Sequence, residues 1–373
     1  MSDARSAESA STAAALTRAV SAVTDPELRR SLGDLGMVRA VEVDGATARI
    51  TLALTIVGCP AADRIERDVR NAAGGIPGIA DVEVVLGVMT AEERSALIAR
   101  VRGERRSRFG PDSLTRVIAI GSGKGGVGKS TMTANLAVEL RRRGLAVGVM
   151  DLDVHGFSIP GLLGIAGERP TKVDALVMPP RGYDVPAISI GMFVEGSEPV
   201  SWRGPMLHRT IEQFLSDVWF GDLDILLVDL PPGTGDSALS FGQLVPNAEF
   251  VVVTTPQPAA ADVAVRAGML ARRLGQRITG VIENMAGLPQ PDGTVLELFG
   301  SGGGAATADR LSTPESEVPV LASVPLSIAL RAGGDAGAPV VVTAPQDPAS
   351  VAIAGLADAL LAAGPSRVGR SLL

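Results

Sequence analysis

Two lysines lie within the glycine-rich stretch GSGKGGVGKST, residues 121–131, of a chain that hardly uses lysine. Of its 34 basic residues only Lys124, Lys129 and Lys172 are lysine; the others are arginine. Keeping two of these in one loop points to a need for a compact ammonium on a flexible stem, which the planar guanidinium cannot replace. Gly123, Lys124, Gly125, Gly126, Val127, Gly128, Lys129 and Ser130 fit the pattern G-x-x-x-x-G-K-[ST] in full. The chemistry of that pattern is phosphate binding. Glycines leave backbone N–H groups free to surround phosphate oxygens, and the helix that follows adds positive potential at its N-terminus. Lys129 would bridge the β- and γ-phosphates of ATP, Ser130 would bind Mg2+, and Thr131 completes the nucleotide-binding loop. An ordinary phosphate loop needs no lysine at position 124. Lys124 is either a solvated side chain at a loop tip or a second cation, acting on a partner's nucleotide as an arginine finger does.

Two acidic segments belong with this loop. The run AVGVM leads into Asp151-Leu152-Asp153, and DILLV leads into Asp229, followed by PPGTGD. Each puts a carboxylate at the C-terminal end of a parallel strand, where open α/β sheets bind their ligands. Asp229 is the candidate acid for Mg2+, through water. Asp153 is the candidate that positions or activates an attacking water, and Gly233 the backbone that follows the γ-phosphate. His155 and His208 are the only histidines, and with the single cysteine Cys59 they make a zinc site improbable; both read as structural or surface residues. One cysteine also rules out an internal disulfide and fits a reducing compartment.

The elements that must position these groups are legible in outline. From Leu114 onward, short apolar runs (RVIAI, AVGVMDLD, DILLVDLP, EFVVVTTP, RITGVIEN, VPVLASVP) alternate with helical segments, the pattern of a parallel sheet covered by helices. The expected fold class is α/β, a parallel-sheet phosphate-loop domain over 114–373 behind a small α+β domain over 12–100. Within the small domain a helix ends near Val23, and Asp25-Pro26 restarts a helix. A hairpin turns at Asp44-Gly45, a helix covers Pro60 to Ala73, and the strand DVEVVLGVM follows. Residues 1–11 read as disordered and 101–113 as a linker. Hydrophobic residues make up 46% and aromatics only 3%, so the core must be Ala, Val, Leu and Ile. The net charge of −7 argues against nucleic-acid binding, and the arginine runs at 102–108 and 141–143 read as solvated surface. The N-terminus has no apolar segment of the signal-peptide type. The apolar stretch from Val351 is too short to span a bilayer, so a cytosolic protein with no membrane partner is expected.

Taken together, GKGGVGKS with its extra lysine resembles the deviant Walker A loop of the MinD, ParA and Mrp group of dimerising ATPases. DLDVHGFSIP, the block SWRGPMLHRTIEQFLSDVWFGDLDILLVDLPPGTGD, TTPQ at 254–257, IENM at 282–285 and the tail FGSGGG are similar to Mrp-type proteins. TLALTIVGCPAADRIERDV resembles the small iron–sulfur-assembly domain fused ahead of many of them. The resemblance implies a cytosolic homodimeric ATPase that carries iron–sulfur clusters and delivers them to apoproteins or assembly proteins. It implies that Lys124 crosses the dimer and that Asn284 reads adenine, as an amide pairing with the amino group and N7 does. One departure stands out. Such carriers usually hold their cluster through C-x-x-C between the IENM asparagine and the glycine-rich tail, where this chain reads AGLPQPDGTVLEL, a hairpin turn around Pro291, Asp292 and Gly293 without cysteine. Cys59 is then either a weak iron–sulfur ligand or a small buried apolar residue. The alternative function is a metal-free switch of the MinD and ParA kind that recruits a partner protein.

Overall fold

The computed structural model describes residues 2–102, 109–110, 113–154, 156–193 and 204–364, without the side chains of residues 2–10. Most of the expected linker, His155, Arg203 of the RGPM turn and the SRVGRSLL tail lie outside the described residues. The chain forms two compact units. The first comprises residues 1–106 together with Thr171–Met178, and the second Ser107–Pro170 together with Pro179–Leu373.

In the first unit, helix α1 (Ser2–Ser21) starts well ahead of the expected position, so the stretch read as disordered is helical backbone. Its Ala, Ser, Glu and Arg are compatible with helix even where apolar periodicity is lacking. Asp25 does cap, its Oδ1 accepting from Glu27 N and Leu28 N at 2.9 and 2.7 Å, but the chain makes only a turn there. The next helix is the short α2 (Leu32–Leu35). Strands β1 (Val38–Asp44) and β2 (Thr47–Leu54) form the expected hairpin, with Asp44 paired to Thr47. The two loop residues are therefore Gly45 and Ala46 rather than Asp44 and Gly45, because Gly45, at φ +60°, supplies the positive φ at the first loop position. Helix α3 (Ala62–Gly74) crosses to β3 (Asp81–Val88), which runs parallel to β2, and α4 (Ala91–Arg102) follows.

The second unit opens with β4 (Arg116–Ser122), α5 (Lys129–Arg142) and β5 (Val147–Asp151). After α6 (Ile159–Leu162) the chain enters the antiparallel hairpin β6 (Thr171–Val173) and β7 (Leu176–Met178), which belongs to the first unit. It resumes as β8 (Arg181–Gly182) and β9 (Val185–Ser189), then α7 (Gly204–Asp217), β10 (Ile225–Asp229), α8 (Asp236–Leu244), β11 (Glu249–Thr254), α9 (Pro258–Arg273) and β12 (Arg277–Asn284). The small hairpin β13 (Leu288–Pro289) and β14 (Val295–Leu296) carries the expected turn, with Gly293 at φ +84°. Helix α10 (Gly303–Leu311), β15 (Val320–Val324), α11 (Ile328–Ala336), α12 (Val340–Thr343) and α13 (Pro348–Ala362) complete the chain.

The main sheet has the order β15-β12-β11-β4-β10-β5-β9-β8, parallel throughout except at the β8–β9 edge pair. Every residue of β4, β5, β10 and β11 is buried, which is why these strands are continuous apolar runs in the sequence. The N-terminal edge is fastened by a buried ion pair. Arg116 Nε and Nη2 each meet Glu249 at 2.9 Å, and Thr279 Oγ1 donates to the same carboxylate at 2.9 Å. Burial pushes the Glu249 carboxyl up, but the hydrogen bonds and charge of Arg116 outweigh it and hold the group below its ordinary range. The opposite, C-terminal edge of β4, β5 and β10 is left free to carry chemistry.

Candidate functional site

At that edge β4 runs into the glycine-rich loop and the loop into α5. Two glycines are required by space. A Cβ on Gly123 would stand 2.1 Å from the Val263 carbonyl carbon, and one on Gly128 would stand 2.2 Å from Asn284 Nδ2. Gly128 also caps α5 at φ +81°, a left-handed conformation that other residues adopt only at a cost. Gly125 and Gly126 are exposed, Val127 is buried, and Thr131 lies half-buried in the first turn of α5.

Lys129 is 6% exposed, and its ammonium lies 2.6 Å from Asp229 Oδ2, 3.2 Å from Ser130 Oγ and 3.7 Å from Asp153 Oδ2. Ser130 Oγ donates to Asp229 Oδ2 at 2.5 Å, and Thr133 Oγ1 donates to Asp229 Oδ1 at 2.7 Å. Lys129 and Thr133 are one helical turn apart, so both reach the same carboxylate. Asp151 and Asp229 are register partners on adjacent strands. Burial, and then the charge of Asp229, pushes the Asp151 carboxyl to about 8. Asp153 is also buried, with its Oδ1 accepting from Gly156 N at 3.1 Å. Among the described residues three acids thus meet one ammonium, and the donors are hard oxygens. Such a site suits Mg2+, which takes one or two protein ligands and completes its shell with water and phosphate. Ser130 would hold it directly, and Asp229 through water.

The sequence candidates are thus brought together, with three qualifications. Lys124 is half-buried, and its Nζ donates to Gln257 Oε1 at 3.0 Å. Gly233 takes φ +86°, but its N–H already donates to Ser122 O at 2.7 Å, so following a phosphate would require breaking that bond. Asn284 lies beside the loop, its Nδ2 donating to Val127 O at 2.9 Å. Thr133 and Ser189 are not picked out by any motif, and Gln257, though it closes the TTPQ segment, shows no sign there of its contact with Lys124. A threonine four residues beyond Lys129 is the one usable signal, because that spacing stacks side chains on one helix face. His208 is half-buried on α7.

Cys59 belongs to the first unit, whereas this constellation belongs to the second. It is 6% exposed, and its Sγ donates to Glu27 Oε2 at 3.7 Å. Burial, reinforced by the carboxylates of Glu27 and Asp25, pushes the thiol up to about 11. The reactive thiolate gains population only as the pH rises towards that value. At pH 8, alkylation of Cys59 by iodoacetamide should therefore be on the order of 100-fold slower in the folded protein than in urea. Equal rates would show that the thiol is open to solvent. Among the described residues, no three of His, Cys, Asp and Glu are arranged to hold a metal ion, so these residues show no preformed thiolate cage for a cluster.

A parallel sheet whose central strand ends in a glycine-rich phosphate loop, with acids on the neighbouring strands, is the architecture of a P-loop NTPase. A family model described as "NUBPL iron-transfer P-loop NTPase", of the ParA type, matches residues 113–361, and one described as "Iron-sulfur cluster assembly protein" matches residues 13–86. The "Iron-sulfur cluster carrier protein" of Mycobacterium leprae is 50% identical over 352 residues, covering 93% of this chain and 92% of that one. Its namesake from Mycobacterium tuberculosis H37Rv is 49% identical over 366 residues, covering 96% of both. Among solved structures, a nucleotide-binding protein of Archaeoglobus fulgidus in complex with ADP is 34% identical, with a TM-score of 0.51, over 60% of this chain and 86% of that one. The chain belongs to the NUBPL/Mrp-type family of iron-transfer P-loop NTPases. Among the described residues, no helix is long and apolar enough to cross a membrane.

Proposed function

We propose that this protein is a cytoplasmic ATPase that works as a homodimer and carries iron–sulfur clusters to apoproteins or assembly proteins. The observation that carries the ATPase part is the buried Lys129–Ser130–Asp229 constellation at the mouth of the loop. The loop, Gly123 to Thr131, takes the phosphates of ATP, with Lys129 on the β- and γ-phosphates. Ser130, and Asp229 through water, would hold Mg2+, which when bound would neutralise phosphate charge. Asn284 reads the adenine with the hydrogen-bonding capacity that Val127 does not use, and Gly233 swings to the γ-phosphate. Asp153 orients the attacking water. The new P–O bond forms as the bond to the β–γ bridging oxygen breaks. The electron pair leaves on ADP, and the water's proton passes to Asp153 or to the released phosphate. Lys124 leaves Gln257 and reaches the partner's phosphates.

The cluster is cargo. Its assignment rests on relatives of nearly full-length correspondence that bear the carrier name. Cys59 is the only thiol, so a homodimer offers two where clusters normally take four ligands, mostly thiolates. Each Cys59 must also lose its proton to ligate. A cluster held this way is weak. After anaerobic reconstitution with iron and sulfide, wild-type protein should carry substoichiometric iron with a visible absorption band. Cys59→Ser should lose both and keep ATP hydrolysis, since Cys59 lies outside the nucleotide unit. A cluster that persists in Cys59→Ser would assign the ligands elsewhere. The cysteine-free β13–β14 hairpin favours a second reading, a metal-free ATP switch that recruits a partner, and wild-type protein that binds no iron on reconstitution would favour it over the carrier reading.

A further inference from the structure

The geometry points to Ser189 as a positioning residue for ATP hydrolysis, acting through Asp151 on the segment that carries Asp153. This rests on the hydrolytic role proposed above for Asp153. Ser189 is the last residue of β9, fully buried behind the apolar residues Val185 to Ile188. Its hydroxyl both donates and accepts. It donates to Asp151 Oδ2 at 3.0 Å and accepts from Gly191 N at 3.1 Å. The other oxygen of Asp151 accepts from Asp153 N at 3.1 Å. One carboxyl group thus ties the end of β9 to the backbone that aims Asp153 at Lys129.

A second contact reinforces the link. A Cβ on Gly191 would stand 2.3 Å from the ring of Phe157, so the turn that Ser189 anchors lies directly against the chain that continues from Asp153. The turn after β9 and the Asp151–Phe157 segment are held together at both ends, by a buried hydrogen-bond relay at one and by an aromatic ring over a glycine at the other. Without the Ser189 hydroxyl, Asp151 lacks its side-chain donor. The carboxyl that accepts from Asp153 N is then held from one side less, and Asp153 loses its fixed aim. Ser189 itself is in line with Asp151, not with the loop, so nucleotide affinity should be spared.

The test compares steady-state ATP hydrolysis and ADP affinity, by calorimetry, in wild type, Ser189→Ala and Ser189→Thr, all in the full chain. Misplacing a group that aligns the reactants can cost on the order of a hundredfold in rate. Ser189→Ala should therefore lose about tenfold or more in kcat, with KM and ADP affinity within about twofold of wild type, a pattern that marks an interaction used in the transition state rather than in binding. Ser189→Thr, which keeps the hydroxyl, should recover most of the rate. Unchanged kcat in Ser189→Ala would overturn the assignment. So would a loss shared equally by Ser189→Thr, or one that falls on KM and ADP affinity, since either marks a packing effect. Absence of any turnover in the wild type would overturn the hydrolytic reading and this role together.

Discussion

Lys129→Ala should abolish measurable ATP binding. Among the described residues this ammonium is the cation set among Asp229, Asp153 and Ser130, and in the proposed mechanism it meets the β- and γ-phosphates. Removing it deletes a charge-assisted contact to phosphate and also leaves buried carboxylates facing the incoming anion. A loss of at least ~100-fold in affinity, about 2.7 kcal/mol, is expected from titration calorimetry with Mg2+-ATP. Asp229 keeps its donors Ser130 and Thr133, so the unit should remain folded, which circular dichroism checks. Wild-type affinity in a folded Lys129→Ala protein would remove the loop from the nucleotide site.

Lys124→Ala should have the opposite signature: ATP still binds, and turnover falls on the order of 10³-fold, the scale of a cation supplied across an interface. Lys124 holds Gln257 rather than any group of its own loop's phosphate cradle, so its loss should leave the nucleotide's contacts in place. Lys124→Arg should not restore the rate, because a planar fork cannot stand in for a point charge at a crowded site. In Asp153→Ala the nucleotide should bind and remain uncleaved, and light scattering with ATP should show a persistent dimer. Full turnover in Lys124→Ala would make that lysine the solvated loop-tip side chain that its position alone also permits. An Asp153→Ala protein that hydrolyses ATP at the wild-type rate would take that acid out of the mechanism.

The parts of this site that can be read from the chain alone are those with a fixed spacing or a fixed place on a strand. The phosphate loop has both, and Asp151, Asp153 and Asp229 stand at the ends of apolar runs that could only be buried parallel strands. The rest depends on contacts between distant parts of the chain. Nothing local separates Ser189 from any other serine in an apolar run; only its pairing with β5 brings it to Asp151. Gln257 is legible as the end of the TTPQ segment, but its meeting with Lys124 is set by the adjacency of β4 and β11. The hairpin shift from Asp44-Gly45 to Gly45-Ala46 is a matter of one residue, settled by which position needs the positive φ. The burial of Cys59 does not follow from its residue type, since free cysteines serve equally as ligands and as small core residues.

The β6–β7 hairpin gives the first unit a peculiar history. Thr171 Oγ1 donates to Glu27 Oε1 at 3.3 Å, the same carboxylate that receives the Cys59 thiol, and Arg94 meets Asp174 at 3.2 Å. A unit whose main stretch ends at residue 106 therefore lacks its last two strands until Met178 has been made, with the phosphate loop and the first acids emerging from the ribosome in between. Cutting the chain at residue 106 would strip Glu27 and Arg94 of these partners. The two modules are interleaved in synthesis, and the first inherits part of its structure from the stretch that encodes the second.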